Sequence, residues 1–192
     1  DLHNSGINRI YSPEDGRVMG LTGIVDHLIA EADFVTTSTA PADTTDLRST
    51  NDTNFARLIT LIENAVEGAA PLDDDFRRAL DTAPTTTPVL GITGTGGAGK
   101  SSLTDELIRR YLADFPEAHV GLICVDPTRR RTGGALLGDR IRMNAISNPR
   151  VFMRSLATRA NKGELSAAVE DVVKLYQHGG LDLIIVETSG IG

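Results

Sequence analysis

The string Gly94-Thr95-Gly96-Gly97-Ala98-Gly99-Lys100-Ser101 constrains this chain more than any other feature. It fits the pattern G-x-x-x-x-G-K-[ST]. In that pattern the glycines let successive backbone N–H groups turn inward and line an anion site. The apolar run Val89 to Thr93 precedes it and reads as a strand. Leu103, Leu107 and Tyr111 follow at helical spacing. A loop between strand and helix sets the positive end of the helix against the same anion. Lys100 can then reach the β- and γ-phosphates of a nucleotide, and the Ser101 hydroxyl can ligate Mg²⁺. An accidental Gly-rich turn would carry the same letters. It would not need a strand before it and an amphipathic helix after it.

The rest of the second half repeats that alternation. Val120–Val125 is a continuous apolar run, as a strand buried on both faces requires. Val151–Met153 reads as a short strand and Leu183–Val186 as another. Leu165, Ala168, Val169, Val172, Val173 and Tyr176 form a helical stripe. Strands alternating with helices predict an α/β fold with a mainly parallel sheet and crossover helices.

In such sheets the carboxyl ends of the strands form the ligand crevice. Asp126 closes one apolar strand and Glu187 another. Either carboxylate suits Mg²⁺, which prefers hard oxygens. Asp126-Pro127 is also ordinary turn chemistry. Glu187 is costly at the end of an apolar run unless a metal or a base answers it. Between them runs Arg129-Arg130-Arg131-Thr132-Gly133-Gly134, followed by Leu136 to Met143. A Gly-rich loop with Arg and Asp beside a phosphate site can act as a nucleotide switch. Its charge alone favours a solvated basic loop.

The first half reads differently. Ile7–Tyr11 predicts a short strand, ended by Ser12-Pro13-Glu14-Asp15-Gly16. Leu21, Ile24, Val25, Leu28 and Ile29 predict a helix after it. Together they read as the last strand and helix of a domain. Residues 35–53 have linker composition, rich in Thr, Ser, Ala, Pro and Asp. Helices are expected at about 54–67 and 72–82. The predicted divisions are 1–34, 35–87 and 88–192.

Charge separates the same halves. Residues 1–87 hold 15 acids and 6 Lys/Arg, a net of −9, whereas 88–192 carry a net of +2. Nine bases against two acids fall within 126–162. An acidic chain with one basic patch is not built as a general nucleic-acid binder. There is no run of about 18 apolar residues to cross a membrane, and the first residues lack the pattern of a secretory leader. A single cysteine, Cys124, excludes an internal disulfide, and a reducing cytoplasm is the expected compartment.

Four strings together carry a resemblance. They are Pro88-Val89-Leu90-Gly91-Ile92-Thr93-Gly94 into the phosphate loop, Val125-Asp126-Pro127-Thr128, Arg131 to Met143, and Glu187-Thr188-Ser189-Gly190. This set resembles the GTPase chaperones of cobalamin-dependent acyl-CoA mutases, which carry Glu-Thr-x-Gly where most GTPases carry Asp-x-x-Gly. Gly6 to Gly16 resembles the close of a flavodoxin-like cobalamin-binding domain. Cobalamin domain, linker helices and GTPase in one chain resemble the fused isobutyryl-CoA mutases, and imply an internal piece of a longer chain.

The resemblance implies roles. GTP phosphates would sit on Gly97, Ala98, Gly99, Lys100, Ser101 and Ser102, with Arg142 also on the nucleotide. Mg²⁺ would be surrounded by Ser101, Asp126, Asp139 and Glu187, with Val125 and Thr188 as weaker neighbours. Lys100 and Asp139 would serve hydrolysis, and Asp139 and Arg142 would make the basic loop a switch. Partners would be guanine nucleotide, an acyl-CoA mutase domain and a second copy of the chain. Adenosylcobalamin would belong to the longer protein, since Asp1-x-His3-x-x-Gly6 imitates a cobalt-ligand motif in the wrong place, at the domain's end. The 192 residues alone are expected to hydrolyse GTP poorly, with any base-reading Asn-Lys-x-Asp segment beyond Gly192. A stand-alone chaperone of methylmalonyl-CoA mutase, and a P-loop ATPase or small-molecule kinase, remain the alternatives.

Overall fold

A computed structural model of the chain describes residues 5–34, 52–126, 143–158 and 168–190. The chain divides into two compact units, Asp1–Thr39 and Ala40–Gly192.

The first unit is built on helix α1, Pro13–Ala32. Its start is encoded locally. The Ser12 hydroxyl accepts from the Asp15 N–H at 3.2 Å, and the Asp15 carboxylate accepts from the Ser12 N–H at 2.7 Å. This reciprocal box satisfies two amides that the first turn leaves open. Those Ser12 hydrogen bonds, the backbone one first, hold the Asp15 carboxyl below its ordinary range. Pro13 fits the first turn because no N–H is needed there. The helix is interrupted at Gly20, whose φ of 67° lies outside helical space. No residue of α1 is buried. The strand predicted over Ile7–Tyr11 does not form. A strand exists only by pairing, and the described residues of this unit offer no second strand.

The second unit contains α2 (Asp52–Val66), α3 (Asp74–Asp81), β1 (Val89–Ile92), α4 (Lys100–Asp114), β2 (Val120–Asp126), β3 (Val151–Ala157), α5 (Val169–His178) and β4 (Leu183–Glu187). The four strands form one parallel sheet in the order β1-β4-β2-β3. Ile92 at the end of β1 and Cys124, two residues before the end of β2, both lie opposite Glu187. β3 extends beyond the predicted Met153 to Ala157 because it pairs with β2 along its whole length.

Both faces of the sheet are covered. On one, Ile123, Val125, Leu156, Ile184 and Val186 pack with apolar side chains of α2, α3 and α5. On the other, Leu122, Cys124, Met153 and Ile185 pack with Ile108 and Leu112 of α4. The helices expected in the connecting stretch are therefore part of this core. Leu58, Ile59 and Ile62 of α2 are fully buried. Each such side chain contributes about 1.5–3 kcal/mol relative to exposure. Arg154 on β3 pairs with Glu63 on α2, and Arg77 on α3 with Asp171 on α5 at 2.8 Å.

The buried face of α4 is rotated from the predicted one. Thr104, Ile108 and Leu112 are buried, whereas Leu103 is 53% exposed. Leu107 and Tyr111 are only partly buried. The cause is Thr104, a polar residue whose partner lies inside. No helix among the described residues is long and apolar enough to cross a membrane.

Candidate nucleotide site

β1 ends at Ile92 and α4 begins at Lys100. The seven intervening residues form the Gly-rich loop. Gly97 and Gly99 take φ of 78° and 85°, the left-handed region that favours glycine. Gly99 caps α4 without a side-chain hydrogen bond. The helix start thus presents backbone N–H groups and the positive end of its dipole to an anion.

A cavity of about 390 Å³ opens over this loop, lined among others by Gly97, Gly99, Lys100, Ser101, Ser102, Glu187 and Thr188. Five predicted phosphate contacts thus share one wall. Ala98 does not line the cavity, and its N–H donates to Thr95 O at 3.3 Å within the loop. Lys100 Nζ donates to Gly94 O at 3.0 Å and Thr95 O at 3.2 Å. The ammonium is therefore folded back along the loop that it serves.

Glu187 is 2% exposed, yet it is well answered. The Ser101 hydroxyl donates to Oε1 at 2.7 Å. The Thr104 hydroxyl donates to Oε2 at 2.7 Å. Sheet parity sends Asp126 the same way. It follows Leu122 and Cys124 at two-residue spacing, on the α4 side. Asp126 is 4% exposed and does not line the cavity. Val125 has the opposite parity, and its side chain is buried in the core under α2 and α5. Only its backbone could approach a ligand. The Thr188 hydroxyl donates to that of Thr93 at 2.9 Å.

Among the described residues, no three His, Cys, Asp or Glu side chains gather into a metal cluster. The Ser101 hydroxyl and the Glu187 carboxylate still suit a hard cation. Mg²⁺ keeps several waters and takes only one or two protein carboxylates beside substrate phosphates. Asp139, Arg142 and Arg129 to Arg131 lie outside the described residues, as do His3, the linker 35–51 and Leu165.

Thr104 was not singled out from the sequence, although it was legible in principle, three residues after Ser101 and so on the same helix face. Gly190 was read only as part of the Glu-Thr-x-Gly string, not for its packing. A Cβ there would fall 2.5 Å from both Cα and N of Gly96. The chain leaving β4 thus lies directly on the phosphate loop.

The chain matches the family described as "Methylmalonyl Co-A mutase-associated GTPase MeaB" over residues 55–192. It is 50% identical over 196 residues to the fused isobutyryl-CoA mutase of Geobacillus kaustophilus, covering 100% of this chain and 18% of that protein. It is 50% identical over 195 residues to the fused isobutyryl-CoA mutase of Cupriavidus metallidurans, covering 100% of this chain and 17% of that one. The chain thus spans less than a fifth of the length of these curated relatives. The crystal structure of an LAO/AO transport system kinase aligns with a TM-score of 0.53 at 26% identity, over 83% of this chain and 46% of that one.

Proposed function

Because the chain belongs to the methylmalonyl-CoA mutase-associated GTPase family, we propose that residues 88–192 bind guanine nucleotide with Mg²⁺ and support its hydrolysis. The observation that carries this reading is the 2.7 Å contact of Ser101 with Glu187 at the mouth of the Gly-rich loop. A hydroxyl and a carboxylate paired there would supply the hard oxygens that a nucleotide-bound cation takes.

The loop amides and the α4 N-terminus hold the phosphates. Lys100 exchanges its two carbonyl partners for phosphate oxygens. Ser101 and Glu187 would hold Mg²⁺, which would supply neutralisation of phosphate charge. The resemblance would add Asp126 and Asp139 to the cation and Arg142 to the nucleotide. Positioning and charge do most of the work in phosphoryl transfer.

The wider role rests on the relatives. In a longer cytoplasmic chain acting as a homodimer, this GTPase gates loading and protection of adenosylcobalamin for a mutase domain interconverting isobutyryl-CoA and n-butyryl-CoA. Residues 1–34 form the end of the cobalamin-binding domain. Residues 35–87 lead to the GTPase. The isolated 192 residues turn GTP over slowly.

The test is nucleotide binding and phosphate release by the intact protein with GTP and with ATP. Preference for GTP with Mg²⁺-dependent turnover supports the reading. Equal or better use of ATP favours the kinase-like alternative that the similarity to the LAO/AO transport system kinase raises.

A further inference from the structure

Thr104 is fully buried, and its hydroxyl stands between two acceptors. Glu187 Oε2 lies at 2.7 Å and Lys100 O at 3.0 Å. A threonine inside a helix ordinarily donates to the carbonyl four residues back. A hydroxyl has one proton to give. The carboxylate is the stronger acceptor and the closer one. The proton therefore goes to Glu187, and the helix carbonyl keeps its ordinary backbone partner as its main interaction.

Ser101 and Thr104 are three residues apart, on one face of the first turn of α4. Each takes one oxygen of the same carboxylate, so the carboxyl plane is fixed at both ends. One oxygen faces the cavity through Ser101, which lines it. The other is turned inward to Thr104. Without that inner partner, Oε2 would be a buried acceptor with an unmet bond, and the side chain would gain by rotating.

We propose that Thr104 is a positioning residue for the cation site: its buried hydroxyl locks Glu187 in the rotamer that offers Oε1 beside Ser101. The proposal rests on the Mg²⁺–nucleotide reading above. Groups that orient a metal-holding carboxylate commonly change metal affinity by about 10–100-fold when removed.

The experiment titrates Mg²⁺ into the intact protein with fluorescent mant-GDP and records two quantities. One is nucleotide affinity in EDTA. The other is the Mg²⁺ concentration that half-tightens binding. Thr104→Val keeps the shape and removes the donor. It is expected to raise the half-tightening concentration about tenfold and to leave the EDTA affinity within about twofold. Thr104→Ser restores the wild-type value. A folded Thr104→Val with an unchanged Mg²⁺ response overturns the proposal, as does an equal loss in EDTA and in Mg²⁺. If Thr104→Val does not fold, Thr104→Ala carries the same outcomes, because it also removes the hydroxyl donor to Oε2. A wild-type protein that binds the nucleotide equally with Mg²⁺ and EDTA removes the metal reading itself. One that ignores the nucleotide removes the function.

Discussion

Ser101 and Glu187, separated by 86 residues, meet at 2.7 Å, where the start of α4 crosses the end of β4. The contact exists because a parallel sheet brings the carboxyl end of β4 beside that of β1, from which the Gly-rich loop departs. It ties the phosphate loop to the strand whose following residues reach Gly190, packed on Gly96. The Gly-rich loop and the Ser101–Glu187 pair thereby share one origin at the carboxyl end of the sheet.

Glu187→Gln tests the charge at that crossing. The amide keeps the volume but has one acceptor oxygen in place of two. Either Ser101 or Thr104 loses its acceptor and faces an NH₂ group. The Mg²⁺-dependent part of nucleotide affinity is expected to fall about 10–100-fold. Calorimetric titration of nucleotide with and without Mg²⁺ checks this. An unchanged Mg²⁺ response would place the cation elsewhere.

Lys100→Met tests the cation of the loop. The ammonium is bonded to Gly94 O, which is half-buried, and to Thr95 O, which is exposed. Water can replace it there, so stability should change by no more than about 0.5 kcal/mol. Hydrolysis is expected to drop about 10²–10³-fold, as when one preorganised donor to transition-state charge is removed. Thermal melting and single-turnover phosphate release separate the two effects. A large melting shift would mean that the lysine is structural.

The parts of this fold that were legible in the sequence are those where one residue type has one physical use. The Gly-rich loop needs positive φ at Gly97 and Gly99, and only glycine does that without strain. β2 and β4 are buried on both faces, so unbroken apolar runs betray them. The α4 stripe misled because Thr104 fills a core-facing position with a polar side chain whose partner, Glu187, is 83 residues away. The α2 and α3 stripes were seen, but a stripe does not say which surface covers it. Only the packing of Phe55, Ile59 and Leu80 against strand residues shows that. At Ile7–Tyr11 the residues suit a strand, and nothing described pairs with it.

Gly121 carries a packing prediction remote from the site. A Cβ at this position would come within 2.4 Å of the Tyr176 ring and 2.8 Å of Leu181. Tyr176 is fully buried, between α5 and the sheet, with Phe55 and Phe152 edge-on at 5.6 and 5.8 Å. It cannot swing away cheaply in a close-packed interior. Gly121→Ala should therefore destabilise the fold by about 1–3 kcal/mol. Urea denaturation followed by far-UV circular dichroism measures it. A loss under about 0.5 kcal/mol, the range of neutral surface changes, would show that α5 is more loosely seated than these contacts require.

Helices α2 and α3 carry the last prediction, which concerns where the nucleotide-binding unit begins. Leu58, Ile59, Ile62, Phe76 and Leu80 are all within 1% of full burial, in one cluster with Ile123, Val125 and Ile184 of the sheet. Starting the chain at Pro88 would remove them and leave α5 alone to cover that face of the sheet. An apolar face of that kind drives aggregation. The shortened protein is expected to be insoluble or partly unfolded, although every residue of the Gly-rich loop remains. A graded version uses Ile59→Ala, whose cost should fall at about 2–5 kcal/mol. The loss should appear in urea denaturation of the whole second unit as one transition, because the helix and the sheet share that cluster. A separate early transition for α2, or a soluble and nucleotide-binding protein beginning at Pro88, would show instead that the two helices are an attachment on a sheet able to stand without them.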